Sequence, residues 1–178
     1  MTIDFSEKGK VKFAMYGYIA DMPEDLPEDT KIGEAETPSG YHLLTTEKYD
    51  PEKLSKGETI NFHHLTENML YMAKRDRPYM QLCVALFCTR VKYPYKGDWK
   101  KLTRVIKYIS STIVLPLVIV IDDTNPLCWY VYTAFGLHGD MKSHTKMVMT
   151  MGQGAASSNS TKHKLNTKSS TEEELFCN

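Results

Sequence analysis

The sequence predicts an α+β chain: an N-terminal β-hairpin, a region of three helices, then an antiparallel sheet of three strands followed by a truncated helix. Three observations predict it. Residues 3 to 15 alternate apolar and polar side chains about a glycine turn. Between Thr59 and Ile109 the apolar residues recur at a helical period. Beyond residue 112, alternating and β-branched runs are separated by turns rich in Gly, Asp and Asn.

In the hairpin, Ile3 and Phe5 precede Lys8-Gly9, and Val11, Phe13 and Met15 follow it. The next stretch, "DMPEDLPEDTKIGEAETPSG", is acidic and rich in proline, and reads as an exposed connector. A first helix is expected from Thr59, with Ile60, His63, His64 or Leu65, Met69 and Met72 on one side. It ends in the cluster Lys74-Arg75-Asp76-Arg77. A second helix starts at Pro78, which suits a first turn because it has no N–H to leave unpaired, and runs to Val91. Its apolar residues cover most of its circumference, which implies burial between neighbours.

The third helix is the clearest. Asp98 can cap "WKKLTRVIKYI", which puts Trp99, Leu102, Val105, Ile106 and Ile109 on one stripe and Lys100, Lys101, Arg104 and Lys107 on the other. All four charges have one sign and no acid sits four residues away to pair with them, so contact with phosphates competes with a merely solvated face. A strand with an irregular start at Pro116 is expected within "TIVLPLVIVI", 112–121. Strands from Cys128 to about Phe135, in "HTKMVMTMG" and in "AASSNSTKHKL" form the sheet, and "SSTEEELFCN" opens a helix capped by Ser170 or Thr171. The division expected is 1–121 for the hairpin and helices and 122–178 for the sheet.

Composition bounds the function. With 42% hydrophobic and 25% charged residues, the 178-residue chain has the make-up of a globular protein with one large or two small domains. No apolar run approaches the ~20 residues of a bilayer crossing, and the first residues lack the apolar stretch of a secretory signal. No membrane partner and an intracellular location are the expectations. A net charge of zero conceals a division: residues 1–60 carry 13 acids and 7 bases, residues 70–110 carry 10 bases and 2 acids. The second segment points to a polyanionic partner.

Candidate chemistry is sparse. Cys83, Cys88, Cys128 and Cys177 lack zinc-site spacing and read as buried thiols. Asp122 and Asp123 end an apolar run, as magnesium-holding aspartates do, but the signal is weak and a solvated turn before Thr-Asn-Pro is the preferred reading. His63 and His64 read as structural. His144 lies in a loop between strands, with no nucleophile evident nearby.

Several blocks carry a resemblance in their order: "MTIDFSEKGKVKF", "YMAKRDRPYMQLCVALFCTRV", "DWKKLTRVIKYISST", "WYVYTAFGLHGDMKSHT" and "QGAASSNSTKHKLNTKSSTEEEL". Together they resemble the Pol polyprotein of copia-type LTR retrotransposons, from behind the polymerase palm into ribonuclease H, over nearly the whole chain. The resemblance implies a thumb and connection region over residues 1–121 and the first part of a ribonuclease H-like domain over 122–178. It implies RNA/DNA hybrid or DNA duplex as ancestral partner, other Pol segments as possible companions, and Mg2+ as the family's metal. Lys100, Lys101, Arg104 and Lys107, with Lys162 and Lys164 on the last strand, are the residues for phosphate contact.

The resemblance also implies a loss. The family's first ribonuclease H strand reads like Val-Asp-Ala, where this chain has Val131-Tyr132-Thr133, and its Arg-Pro-Asp reads Arg77-Pro78-Tyr79. Glu174 matches the metal-binding glutamate of the helix; the later aspartates and those of the palm have no counterpart. Two ions about 4 Å apart need several carboxylates, and a phenol with a pKa of ~10 replaces none of them. The expectation is a catalytically inactive segment with Glu174 as a remnant ligand, no bound metal, and, as the alternative, a non-catalytic nucleic-acid-binding module using the helix 98–110.

Overall fold

The computed structural model describes residues 1–22, 26, 33–40, 43–44, 52–121 and 127–176. Asp122, Asp123, Cys177 and residues 23–25 and 27–32 of the acidic connector lie outside the described residues. The chain is α+β, as expected; among the described residues there are two antiparallel sheets and five α-helices.

Strands β1 (Thr2–Asp4) and β2 (Lys10–Ala14) form the expected hairpin, with Ile3 opposite Phe13. Gly9 takes a φ of +78° in the turn, a value that costs a side-chain-bearing residue strain and glycine none. The alternation does not continue through "YGYIAD": Tyr16–Asp21 is helix α1, which buries Ile19. Met22 and Leu26 are buried too, so the start of the connector is anchored rather than exposed.

Helix α2 (Lys56–Ala73) begins before the apolar periodicity does. Ser55 accepts from the N–H of Glu58 and the Glu58 carboxylate accepts from the N–H of Ser55, a reciprocal cap that satisfies two end groups. Its buried stripe is Phe62, Leu65, Met69 and Met72, whereas Ile60, His63 and His64 are exposed. The expected face is thus corrected by part of a turn: Phe62, not Ile60, sets the phase. A 3-10 turn at Pro78–Met80 leads into α3 (Gln81–Arg90), which is buried on several sides through Cys83, Val84, Leu86 and Phe87. Phe62 meets Phe87 edge to face with ring centres 5.9 Å apart, a favoured arrangement of the two quadrupoles.

Helix α4 (Lys96–Ser111) buries Leu102, Val105, Ile106 and Ile109 as expected. Asp98 is not its N-cap. It stands three residues into the helix, where its carboxylate accepts from the N–H of Tyr95 at 3.1 Å and its charge faces the positive helix end. The core joins α1, α2, α3 and α4.

Strand β3 (Leu117–Ile121) starts immediately after Pro116 and pairs with β2, Val11 opposite Ile119, so residues 112–116 are not strand. The short β6 (Gly152–Gln153) completes a first sheet in the order β1-β2-β3-β6. The second sheet runs β4 (Cys128–Ala134), β5 (His144–Thr150) and β7 (Ala155–Lys162) in spatial order β4-β5-β7. Helix α5 (Ser170–Phe176) follows and touches β4. β7 packs on α3, and Gln81 Nε2 donates to the carbonyl of Ser158 at 2.9 Å. Among the described residues no helix is long and apolar enough to cross a membrane.

Candidate nucleic-acid interface

Burial of one face of α4 dictates what the other presents. With Leu102, Val105, Ile106 and Ile109 in the core, Lys100 and Arg104 are exposed and Lys101 and Lys107 half-buried along the opposite side. The structure therefore gathers all four cations of this group on one helix.

They are not facing open water alone. The described part of the connector crosses this face as a strap: Arg104 Nη2 donates to Thr37 Oγ1 at 3.0 Å, Lys101 Nζ to the carbonyl of Leu43 at 3.1 Å, and Ser111 Oγ to the carbonyl of Ala35 at 3.4 Å. Strap and helix enclose a cavity of about 230 Å³ lined by Pro38, Ser39, Leu43, Lys100, Lys101 and Arg104. Glu34 and Glu36 lie exposed on the same strap, flanking Ala35 in sequence, so the segment that contacts α4 is acidic.

The second basic group stands elsewhere. Lys162, at the end of β7, holds Asp140 at 2.8 Å, and that ammonium keeps the Asp140 carboxyl below its usual range. Lys164 is exposed just beyond the strand. α4 packs on α1, α2 and α3, whereas β7 packs on β5 and α3. The structure does not bring the two groups into one patch; α3 is the element that touches both.

Tyr132 sits in the middle of β4, directly opposite Lys146 of β5, which in turn lies opposite Ser160 of β7. The phenol is 63% exposed. Side chains directly opposite in an antiparallel pair have Cβ atoms about 5 Å apart, so an ammonium stands beside the position where the resemblance calls for a carboxylate. Glu174 is exposed on α5. A phenol, an ammonium and one carboxylate do not fit Mg2+, which takes oxygen donors that carry or share negative charge. Among the described residues no three His, Cys, Asp or Glu side chains form a group able to hold a metal.

Of the remaining candidates, Cys83 is buried as expected and its thiol pushed up by burial, whereas Cys88, on the outer side of α3, is exposed and Cys128 half-buried, a correction to the buried-thiol reading. His63 makes a surface contact with Glu67 at 3.3 Å. His144 is different. It is the first residue of β5, only 4% exposed, and burial together with the neighbouring His138, His163 and Lys162 brings its pKa down to about 4. Its Nδ1 lies 3.0 Å from His138 Nε2 and its Nε2 lies 2.7 Å from Ser160 Oγ. No local pattern announces this chain of three side chains. His138 reaches His144 because the loop between them folds back, with His138 N–H donating to the carbonyl of Lys142 and Met141 at a φ of 60°.

No family model matches the chain, and neither a curated protein nor a solved structure matches it.

Proposed function

We propose that the chain is a copia-type Pol segment that holds the phosphate backbone of an RNA/DNA hybrid or DNA duplex along α4 and no longer performs two-metal cleavage. The observation that carries the binding half is the segregation on α4: a buried apolar stripe on one side, and Lys100, Lys101, Arg104 and Lys107 on the other. A helix fixed by its apolar face presents its cations without further ordering, and contacts to phosphate alone track a duplex of any sequence. The observation behind the lost chemistry is Tyr132 opposite Lys146.

The strap gives the binding a condition. A phosphate taken by Arg104 or Lys101 replaces or shares the hydrogen bonds these side chains make to Thr37 and Leu43, and Glu34 and Glu36 repel the incoming polyanion. Binding is therefore expected to be weak and steeply salt-dependent.

The test is fluorescence anisotropy of a labelled RNA/DNA hybrid at several salt concentrations, with the Lys100→Glu, Arg104→Glu double variant beside the wild type. Each phosphate contact removed lowers the slope of log K against log salt by about 0.9. An affinity that ignores salt, or a slope unchanged in the double variant, overturns the binding reading. Mg2+-dependent cleavage of the hybrid that is lost in Glu174→Gln overturns the inactive one.

A further inference from the structure

The chain Ser160 Oγ, His144, His138 has the geometry of an activated nucleophile. Ser160 and Lys162 share one face of β7, and His144 is opposite Lys162 on β5, so Ser160 and His144 are diagonal neighbours on that face, within side-chain reach. Two sets of proton positions satisfy the chain with every ring neutral, and one of them activates the serine. In that set the Ser160 hydroxyl donates to His144 Nε2, His144 Nδ1–H donates to His138 Nε2, and the His138 proton sits on Nδ1. Nucleophile, base and orienting group are thus in hydrogen-bond reach of one another, which is what acyl transfer requires.

Ser160 also opens onto space. It lines a cavity of about 380 Å³ between β7, α2 and α3, with Leu70 and Ala85 as apolar wall and Lys74 and Lys162 as cations. Gln81 lines the same cavity. Its Nε2 is taken by Ser158, but its buried Oε1 has no hydrogen-bond partner.

We propose that Ser160 and His144 form an acyl-transfer site, with His138 as the residue that positions His144, and that the cavity takes a small ester carrying a negative charge. Ser160 Oγ attacks the carbonyl carbon while its proton passes to His144 Nε2. The carbonyl π electrons move to oxygen, where the Lys74 ammonium on the cavity wall supplies positive charge, Lys162 being ion-paired with Asp140. When the intermediate collapses, the C–O bond to the alcohol breaks and the alkoxide takes the proton from His144. Water then repeats the sequence on acyl-Ser160 and releases the carboxylic acid. Ester and water give acid and alcohol, with no oxidant or metal needed. This activity is independent of the nucleic-acid reading.

The experiment uses a fluorophosphonate probe on the full chain, followed by intact mass and peptide mapping, with hydrolysis of 4-nitrophenyl acetate as a second readout. Expected is one adduct on Ser160, absent in Ser160→Ala, a small substitution at a half-buried site. Labelling slows by about 100-fold or more in His144→Gln, the usual worth of a positioned base. His138→Asn, with its fold verified by circular dichroism, shifts the pH profile of labelling; a purely structural His138 leaves that profile in place. No adduct on Ser160 of the folded wild type, or an adduct formed equally fast in folded His144→Gln, overturns the proposal.

Discussion

Arg77 Nε lies 3.3 Å from Asp76 Oδ2, and both side chains are only 1% exposed. The cluster Lys74-Arg75-Asp76-Arg77 thus ends in a buried ion pair, not a uniformly basic surface. Arg77 Nη2 also donates to the carbonyl of Thr112 at 2.8 Å, which ties the end of α2 to the chain leaving α4. Both Asp76 oxygens are buried, and apart from Arg77 and the N–H of Leu117 nearby no donor among the described residues completes their shell, so the pair is incompletely satisfied. Removing one partner of such a pair strands a charge. Arg77→Met is expected to cost about 3–5 kcal/mol in urea unfolding, and adding Asp76→Leu should return much of that loss, because apolar replacement of a whole buried pair is often neutral. A single variant as stable as the wild type would mean that the pair is solvated.

The histidine pair makes stability depend on pH. For His144 the folded pKa, about 4, is depressed below its ordinary 6.5. A group depressed on folding contributes stability that is fully present above 6.5 and is lost as pH falls toward 4; the size is about 3 kcal/mol. His138, also lowered by burial, acts in the same direction. Asp76 acts oppositely: burial raises its pKa, so it favours the folded state as pH falls through that raised value. Urea midpoints of wild type and His144→Gln measured from pH 7 to pH 4 separate the two. The wild type should lose more stability than the variant over this range, and parallel curves would show that His144 does not titrate as a buried group.

The strap on α4 makes a prediction about binding. Glu34 and Glu36 are exposed on the strap whose Ala35 and Thr37 touch α4, and an added Cβ on Gly33 would lie 3.5 Å from Lys107 Nζ. Neutralising both acids, as Glu34→Gln with Glu36→Gln, should tighten hybrid binding about three- to tenfold at low salt, the two charges together being worth about 1 kcal/mol at surface dielectric, with the gain vanishing near 1 M salt. An unchanged affinity at low salt would place the nucleic acid away from this face.

What the sequence made legible follows from how local each cause is. α4 was readable because its apolar stripe and its cations alternate at the helical period, and Leu102, Val105, Ile106 and Ile109 are indeed its buried residues. The cap of α2 is equally local, Ser55 with Glu58, but Gly57 between them and the late apolar periodicity hid it. α1 was missed because Tyr16–Asp21 continues an alternation that a strand also satisfies, and burial of Ile19 against the helices decides the matter. The pairing of β3 with β2 is invisible to any window, since Val11 and Ile119 are far apart in the chain. So is the contact of His144 with Ser160, which depends on the β5 to β7 register. Tyr132 could be singled out only by resemblance, because nothing local distinguishes it from an ordinary strand tyrosine.

The junction of the two sheets rests on one glycine. Gly154, between β6 and β7, has a φ of +85°, and a Cβ there would lie 2.2 Å from the carbonyl oxygen of Val118 and 3.2 Å from Ile119 Cα. Both are backbone atoms of β3, held between β2 and β6, and neither can swing aside as a side chain would. Positive φ alone costs a residue with a Cβ about 1–2 kcal/mol, and relieving the contact means moving β6 off β3. Gly154→Ala is expected to destabilise the chain by more than about 3 kcal/mol in urea unfolding, among the larger single-residue effects. Gly40→Ala provides the comparison: its Cβ meets nothing within 4 Å, and it should stay within about 0.5 kcal/mol. If Gly154→Ala is as mild as Gly40→Ala, β6 does not close the first sheet against β3.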